Sequence, residues 1–382
     1  MDNLTHSLVG LAVAKTGLER LSPGATAICV VAANAPDVDV ALLLFSDRWT
    51  FLKEHRGITH AIVGTILLSI VMPLLFYAFD YLVAHLRHTK PTTRLKGLFI
   101  ASFIASVTHP IMDWTNNYGM RFLLPWNGRW FYGDFVFIVD PFLWLILGTS
   151  VFLVTSRTRL QKGVWLTVAA VATALLLFAP RSSDLQHPLL IRVIWFVFLV
   201  SAILLFAFKV GERWRSRVVL CGLSIAVCYW VALFSIHHHA VNVGRARAKE
   251  IAVSNSETLS KLAAMPILAS PFSWDCVFDT DKATYRFRLD LFSSQPSSRV
   301  LRYAKPTGEL AAITERLGET ERSARIFLGF ARFPVVQLAD SDCTTRTIVQ
   351  FADLRYTEPG RTRGTFSLEL PIDCPTEQPE RK

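Results

Sequence analysis

His109 and Asp113 stand four positions apart in the string His109-Pro110-Ile111-Met112-Asp113. On a helix that spacing stacks an imidazole above a carboxylate on one face, so two good metal ligands point the same way. The surrounding run, FIASVTHPIMDW, is apolar, and ionisable groups inside such a segment are costly to keep and are by default functional. The plain alternative is a His–Asp hydrogen bond inside a helix bundle. Three further clusters of the same character lie upstream: Asn3-Leu4-Thr5-His6, Asn34-Ala35-Pro36-Asp37-Val38-Asp39 and His55-Arg56-Gly57-Ile58-Thr59-His60. Neutral imidazole and carboxylate without thiolate form the donor set of catalytic zinc and manganese sites, which keep one position open for water. A metal ion lowers the pKa of that water toward about 7, and two ions bridged by a carboxylate can steady both the attacking and the leaving oxygen of a phosphoryl transfer.

The elements that must position these clusters are membrane elements. Of the 382 residues 52% are hydrophobic, and the mean hydropathy is +0.36. That is too apolar for an ordinary soluble chain and points to a polytopic membrane protein. The net charge of +10 comes from Lys and Arg in short loops between apolar runs, which reads as a topology signal and gives no nucleic-acid face. Residues 1–20 lack the basic start and the small-residue cleavage site of a removed signal peptide. Two short apolar helices, joined by a turn around Lys15 to Ser22, are expected to form a re-entrant hairpin that brings His6 and Asp37 to the same end. Pro36 is expected to break the second helix just before Asp37 and Asp39.

Spans are expected at about 61–83, 97–112, 135–154, 164–179, 189–208 and 218–236. Basic loops at about 84–96, 155–163 and 209–217 are then cytoplasmic, which puts all four clusters and the C-terminus on the outer side. His237-His238-His239 follows the last span, but three adjacent positions point in three directions, so a solvated cluster is the better reading there. Beyond Met265-Pro266 the pattern changes to period-two alternation, as in Tyr285-Arg286-Phe287-Arg288-Leu289, Thr347-Ile348-Val349-Gln350-Phe351 and 365–370. The expected fold class is an α-helical polytopic membrane domain with a small C-terminal, mainly antiparallel β domain. The expected divisions are a metal-site helical domain at 1–140, further transmembrane helices at 141–236, a linker helix at 237–268 and an extracytoplasmic β domain at 269–382. Cys29, Cys221 and Cys228 sit in apolar runs and are expected to pack as small hydrophobes; two of Cys276, Cys343 and Cys374 could pair outside the cell, with no way to choose among them.

In order along the chain, T-H-x-L-x-G, N-x-P-D-x-D, H-R-G-x-T-H and H-x-x-x-D-x-x-N-x-Y-G resemble the bacterial inner-membrane family of predicted metal-dependent hydrolases that includes a LexA-regulated member. The resemblance covers about the first 140 residues, and the later ARFP and DLRY strings around Arg332 and Asp353 resemble the C-terminal part of one branch. More distantly, the ligand order is similar to zinc-dependent phospholipase C and the P1-type nucleases. Carried over, this implies His6, Asp37 or Asp39, His60, and His109 with Asp113; the full expected ligand set is His6, Asp37, Asp39, His60, His109 and Asp113. Catalytic roles are expected for Asp113, Asn116 and His55, the last as a supporting or alternate ligand. The residues that complete a third zinc site in those enzymes have no counterpart between Trp114 and His187, so one or two ions, zinc or manganese, are expected.

Trp114, Tyr118, Trp126, Trp130 and Tyr132 either frame a lipid or lipid-linked phosphoester or form a plain interfacial belt. Arg56, Arg121 and Arg129 would hold a phosphate or anchor at headgroups. Two readings from other classes stay open: an ion-coupled transporter, and a non-enzymatic membrane scaffold whose outer domain does the binding.

Overall fold

The computed structural model describes residues 1–178, 188–292, 299–339, 346–361, 364 and 366–373. Two compact units interleave along the chain. The first comprises Met1–Asp39, Arg56–His238 and Pro266–Ser273; the second comprises Val40–His55, His239–Met265 and Trp274–Lys382.

The first unit is helical. Helix α1 (Asn3–Lys15) starts on an Asp2 cap whose carboxylate accepts from Thr5 N at 3.0 Å. Helix α2 (Ala25–Asn34) follows a turn and runs into a 3-10 stretch, Ala35–Ala41, so the helix gives way one residue before Pro36, as expected of proline. Small residues let these helices approach closely: a Cβ on Gly10 would stand 2.7 Å from the Cys29 carbonyl oxygen. Short helices α3 (Leu42–Phe45) and α4 (Arg48–Glu54) belong to the second unit. Back in the first, α5 (Ile62–Leu86) and α6 (Leu95–Trp114) run down and up, and Asp80 ties their connection by accepting from Thr92 N, Thr93 N and Thr93 Oγ1 at 2.8–2.9 Å.

The α1–α2 turn sits against the start of α6, where Arg94 N donates to Ser22 Oγ at 2.8 Å. The open ends of the hairpin therefore arrive beside the other end of α6, which carries His109 and Asp113. The α2 face of Ala25, Ile28, Cys29, Ala32 and Ala33 packs on Leu98, Ala101 and Ala105 of α6. Helix α7 is Pro141–Thr155, capped by Asp140, which accepts from Phe142 N and Leu143 N. This corrects the span expected at 135–154: the cap and Pro141 start the helix later, and its 15 residues fall short of the roughly 20 that a full crossing needs. Helices α8 (Arg159–Phe178), α9 (Pro188–Ala207) and α10 (Val210–Trp214) follow, then α11 (Ser216–Ser254), which begins in the first unit and ends in the second. Six helical stretches among the described residues are long and apolar enough to cross a membrane: 25–45, 62–86, 95–114, 159–178, 189–207 and 216–254.

Strands β1 (Leu259–Ile267), β2 (Ser270–Thr280), β3 (Ala283–Asp290) and β4 (Leu301–Ala304) form one sheet in that order, which belongs to the second unit apart from the end of β1 and the start of β2. Helices α12 (Gly308–Thr320) and α13 (Arg322–Phe330) precede a second antiparallel sheet of β5 (Pro334–Leu338), β6 (Arg346–Asp353) and β7 (Ser367–Asp373). The second sheet buries Val336, Val349, Phe351 and Leu368 under Ile313, Leu317 and Phe327 of the two helices, and Trp49 of α4 packs on the same cluster. Arg322 pairs with Asp47 at 2.7 Å and donates to Thr50 Oγ1 at 2.6 Å, fixing α4 to α13. The ARFP and DLRY strings meet in this unit. The Asp353 carboxylate accepts from Arg332 N at 3.2 Å and Arg355 Nη2 at 2.7 Å, and Leu354 N donates to Phe333 O at 3.1 Å. The fold class is thus a polytopic helical region followed by a domain of antiparallel sheets. Cys276 is a buried free thiol, whereas Cys343 and Cys374 lie outside the described residues.

Candidate metal centre

Three segments of the first unit bring four residues together. Asp37 lies on the 3-10 stretch after α2, His60 in the turn before α5, and His109 and Asp113 one helical turn apart near the end of α6. One ligand atom from each of the four comes within 4.8 Å of all the others. His60 Nε2 is 3.2 Å from Asp37 Oδ1 and 3.6 Å from Asp113 Oδ2. His109 Nε2 is 3.6 Å from both Asp37 Oδ1 and Asp113 Oδ2. Such 3.6 Å separations are too long for hydrogen bonds. They match the ligand edges of a tetrahedron with bonds of about 2.0–2.1 Å, which are about 3.4 Å long.

The rings are set to present their Nε2 lone pairs to this space. Nδ1–H of His109 donates to the Ala33 carbonyl at 2.7 Å, a contact made possible by the small-residue packing of α2 on α6. Nδ1 of His60 lies 3.3 Å from Asp39 Oδ2 and 3.0 Å from Thr59 Oγ1. A proton held at Nδ1 leaves Nε2 as the donor to a metal, and carboxylates and carbonyls behind ligating histidines commonly do this. His109 Nε2 is fully buried and has no hydrogen-bond partner among the described residues. An acceptor left bare in that way fits a cation.

The other four expected residues lie outside this set. Asp39 is buried and aims its carboxylate at His60 Nδ1, Arg56 N (3.0 Å) and Thr59 Oγ1 (3.2 Å), outside the four-residue set. His6 reaches the rim: its ring stacks on that of His109 at 3.8 Å, and its Nε2 is 3.1 Å from Asp113 Oδ1, the oxygen that also pairs with the buried Met1 amine. Asp113 therefore turns one oxygen toward the four-residue set and the other toward His6. Asn116 is buried, and its Oδ1 accepts from Arg56 Nη1 at 2.8 Å and Tyr118 N at 2.9 Å. His55 ends α4 in the second unit, where its ring stacks on Phe51 at 4.7 Å.

Arg56 takes neither of the roles expected of it. The residue is 2% exposed, and its guanidinium sits with Nε 3.0 Å from Asp113 Oδ2, Nη1 on the Asp113 carbonyl at 3.3 Å, and its face against Tyr118 at 4.8 Å. A fork already committed to Asp113 and Asn116 is a clamp on the site rather than a phosphate holder. Its backbone adopts φ 54°, a left-handed conformation that costs a non-glycine residue energy and that the Asp39–Arg56 N contact secures. The intervening arginine in H-R-G-x-T-H was the sequence signal for this clamp. Of the other arginines, Arg121 lies over Trp130 at 4.6 Å and Arg129 over Phe131 at 5.5 Å.

Residues 1–182 match the family model of the YdjM inner membrane protein. Over that stretch this agrees with the inner-membrane family that the four motifs resemble. The uncharacterized protein YfhP of Bacillus subtilis (strain 168) is 28% identical over 155 residues, covering 38% of this chain and 43% of that protein. The chain thus spans less than half the length of this relative. No solved structure matches the chain. Together with the six apolar helices, the YdjM match supports a multi-pass membrane protein whose matched region contains all four residues of the candidate centre.

Proposed function

We propose that this protein is a membrane-bound metal-dependent hydrolase that cleaves a phosphoester of a lipid or lipid-linked substrate at the outer face of the membrane. The observation that carries this reading is the convergence of Asp37, His60, His109 and Asp113, with His109 Nε2 held 3.6 Å from both carboxylates and His60 Nε2 3.6 Å from Asp113 Oδ2, too long for hydrogen bonds and close to tetrahedral ligand edges. Asp37, His60, His109 and Asp113 would hold zinc or manganese, which supplies Lewis acidity and a nucleophilic water at neutral pH. Asp113 would bridge to a second ion near His6. Asp39, Ala33 O and Arg56 orient those ligands, and Asn116 holds Arg56. The aromatic side chains Trp126 and Trp130 near the end of the helices favour a substrate that sits at the interface.

The test is elemental analysis of purified protein together with a phosphodiesterase assay on phospholipids. About one or two zinc or manganese ions per chain are expected, with metal lost in His109→Ala. Asp113→Asn keeps the shape but removes charge at the bridge, so one metal leaves and hydrolysis collapses. Metal at background in the wild type defeats the reading outright, and unchanged stoichiometry in Asp113→Asn removes the bridging role.

A further inference from the structure

Away from the metal centre, the first unit contains a cavity of about 770 Å³ between α1, α7, α8 and α9, within the range of ligand-binding cavities. Leu4, Leu8 and Trp144 line one end; Phe152, Trp165 and Phe206 line the other. The wall offers almost nothing polar, because each tryptophan N–H is already spent. Trp144 donates to Asp2 and Thr5, Trp165 to Thr155 Oγ1 at 2.9 Å, and Trp195 to Thr173 Oγ1 at 2.9 Å, whose own hydroxyl donates to Ala169 O. An occupant must therefore be apolar along its length. From Trp144 to Phe152 the α7 wall rises by about 12 Å at 1.5 Å per residue, close to the roughly 15 Å depth of one leaflet.

The end at Phe206 differs. Lys162, the one charged side chain of the lining, stands there with its ammonium 5.2 Å from the Phe206 ring. That end adds Arg157 before α8 and Arg159 at its start, and Lys209, Arg213, Arg215 and Arg217 around α10, against the single acid Glu212. Gly211 brings α10 tightly onto the last turn of α7, where a Cβ would stand 1.9 Å from Leu153 O. Basic pockets between membrane helices are where anionic headgroups dock.

We propose that this cavity holds an acyl chain of one anionic phospholipid, with its phosphate against Lys162. The headgroup lies at the end of α7 away from the metal centre, so this lipid is a resident ligand and not the substrate. Its chain end reaches Leu4 and Leu8, which share α1 with His6, and so buttresses the helix that carries His6.

The full chain, purified in mild detergent, is titrated with dioleoylphosphatidylglycerol or dioleoylphosphatidylcholine while thermal stability and retained lipid are read. Phosphatidylglycerol is expected to bind at one per chain and to raise the midpoint; phosphatidylcholine is expected to do neither. Lys162→Glu, at an exposed position, is expected to weaken phosphatidylglycerol binding by roughly tenfold to thirtyfold, from two units of charge at about fivefold each. Gly148 lines the cavity, and a Cβ there meets nothing within 4 Å, so Gly148→Leu fills the space without disturbing the wall and is expected to abolish the shift. Equal stabilisation by both lipids, retention of phosphatidylglycerol by Lys162→Glu and Gly148→Leu, or closure of the face by a second copy of the chain without lipid would each overturn the proposal. Metal content is read separately and does not enter this outcome.

Discussion

Asp37 and Asp39 are two positions apart, and their carboxylates do different work. Asp37 faces the two Nε2 atoms, whereas Asp39 stands behind His60 on Nδ1. Asp39→Asn should therefore leave metal stoichiometry intact at saturating metal while weakening affinity by about tenfold to hundredfold, the usual cost of losing the group behind a ligating histidine. A metal titration followed by dialysis measures this, and loss of an ion at saturation would make Asp39 a direct ligand instead. The sequence exposes the donor types because histidines and aspartates in apolar runs are conspicuous. It does not separate ligands from the groups that orient them, because the turn of a 3-10 stretch decides which carboxylate points inward. The Ala33 carbonyl, which fixes His109, leaves no mark in residue type at all. His55 lies near His60 in sequence, yet it ends α4 and belongs to the other unit.

Among the elements, the turn before α5 is the one most tightly fitted to its surroundings. A Cβ on Gly64 would stand 1.7 Å from Ile58 O, so the first turn of α5 and the His60 segment share a space that only glycine leaves open. Gly64→Ala is expected to cost about 1–3 kcal/mol by overpacking and to lower metal occupancy with it, read as a drop in thermal midpoint and in bound metal. In the second unit, Glu257 lies between α11 and β1. Burial pushes its carboxyl up, but hydrogen bonds from Thr280 Oγ1 (2.6 Å), Arg302 Nη2 (2.7 Å) and the Tyr285 hydroxyl (2.9 Å) outweigh that and hold it below the usual glutamate range. Its contribution is therefore complete above about pH 4.3 and is lost as pH falls through the depressed value. The midpoint difference between wild type and Glu257→Gln should shrink below about pH 4; a constant difference down to pH 3 would mean that the charge contributes nothing. The strands β3, β6 and β7 are legible from alternation, whereas α12 and α13 are missed although Leu310, Ile313 and Leu317 recur at helical spacing. Reading only for period two beyond residue 265 hides them. Residues 135–140 illustrate the converse error, since apolar character alone does not reveal that Asp140 and Pro141 delay the helix.

For the whole molecule, we propose that the basic loops at 84–96, 155–163 and 209–217 face the cytoplasm, an orientation that needs α7 to cross despite its 15 residues and that would place the candidate centre and the C-terminus outside. Alkaline phosphatase fused after Lys382 is expected to be active, and the same reporter inserted near Gln161 inactive; the reverse pattern inverts the sidedness of the site. The broad partition into apolar helices and a later β domain is readable from composition and period. The excursion of Val40–His55 into the second unit is not, because Trp49 finds its partners through tertiary packing alone. That excursion sets a timetable for biogenesis. Asp47 meets Arg322 across 275 positions of sequence. At about 5–20 residues per second, the ribosome delivers that partner roughly 15–55 s after Asp47 has emerged. For that interval α4 exists without the core it belongs to, flanked on one side by Asp39 and on the other by Arg56, so the nascent chain has the metal donors of its first unit in hand well before it can tie down the segment that joins them.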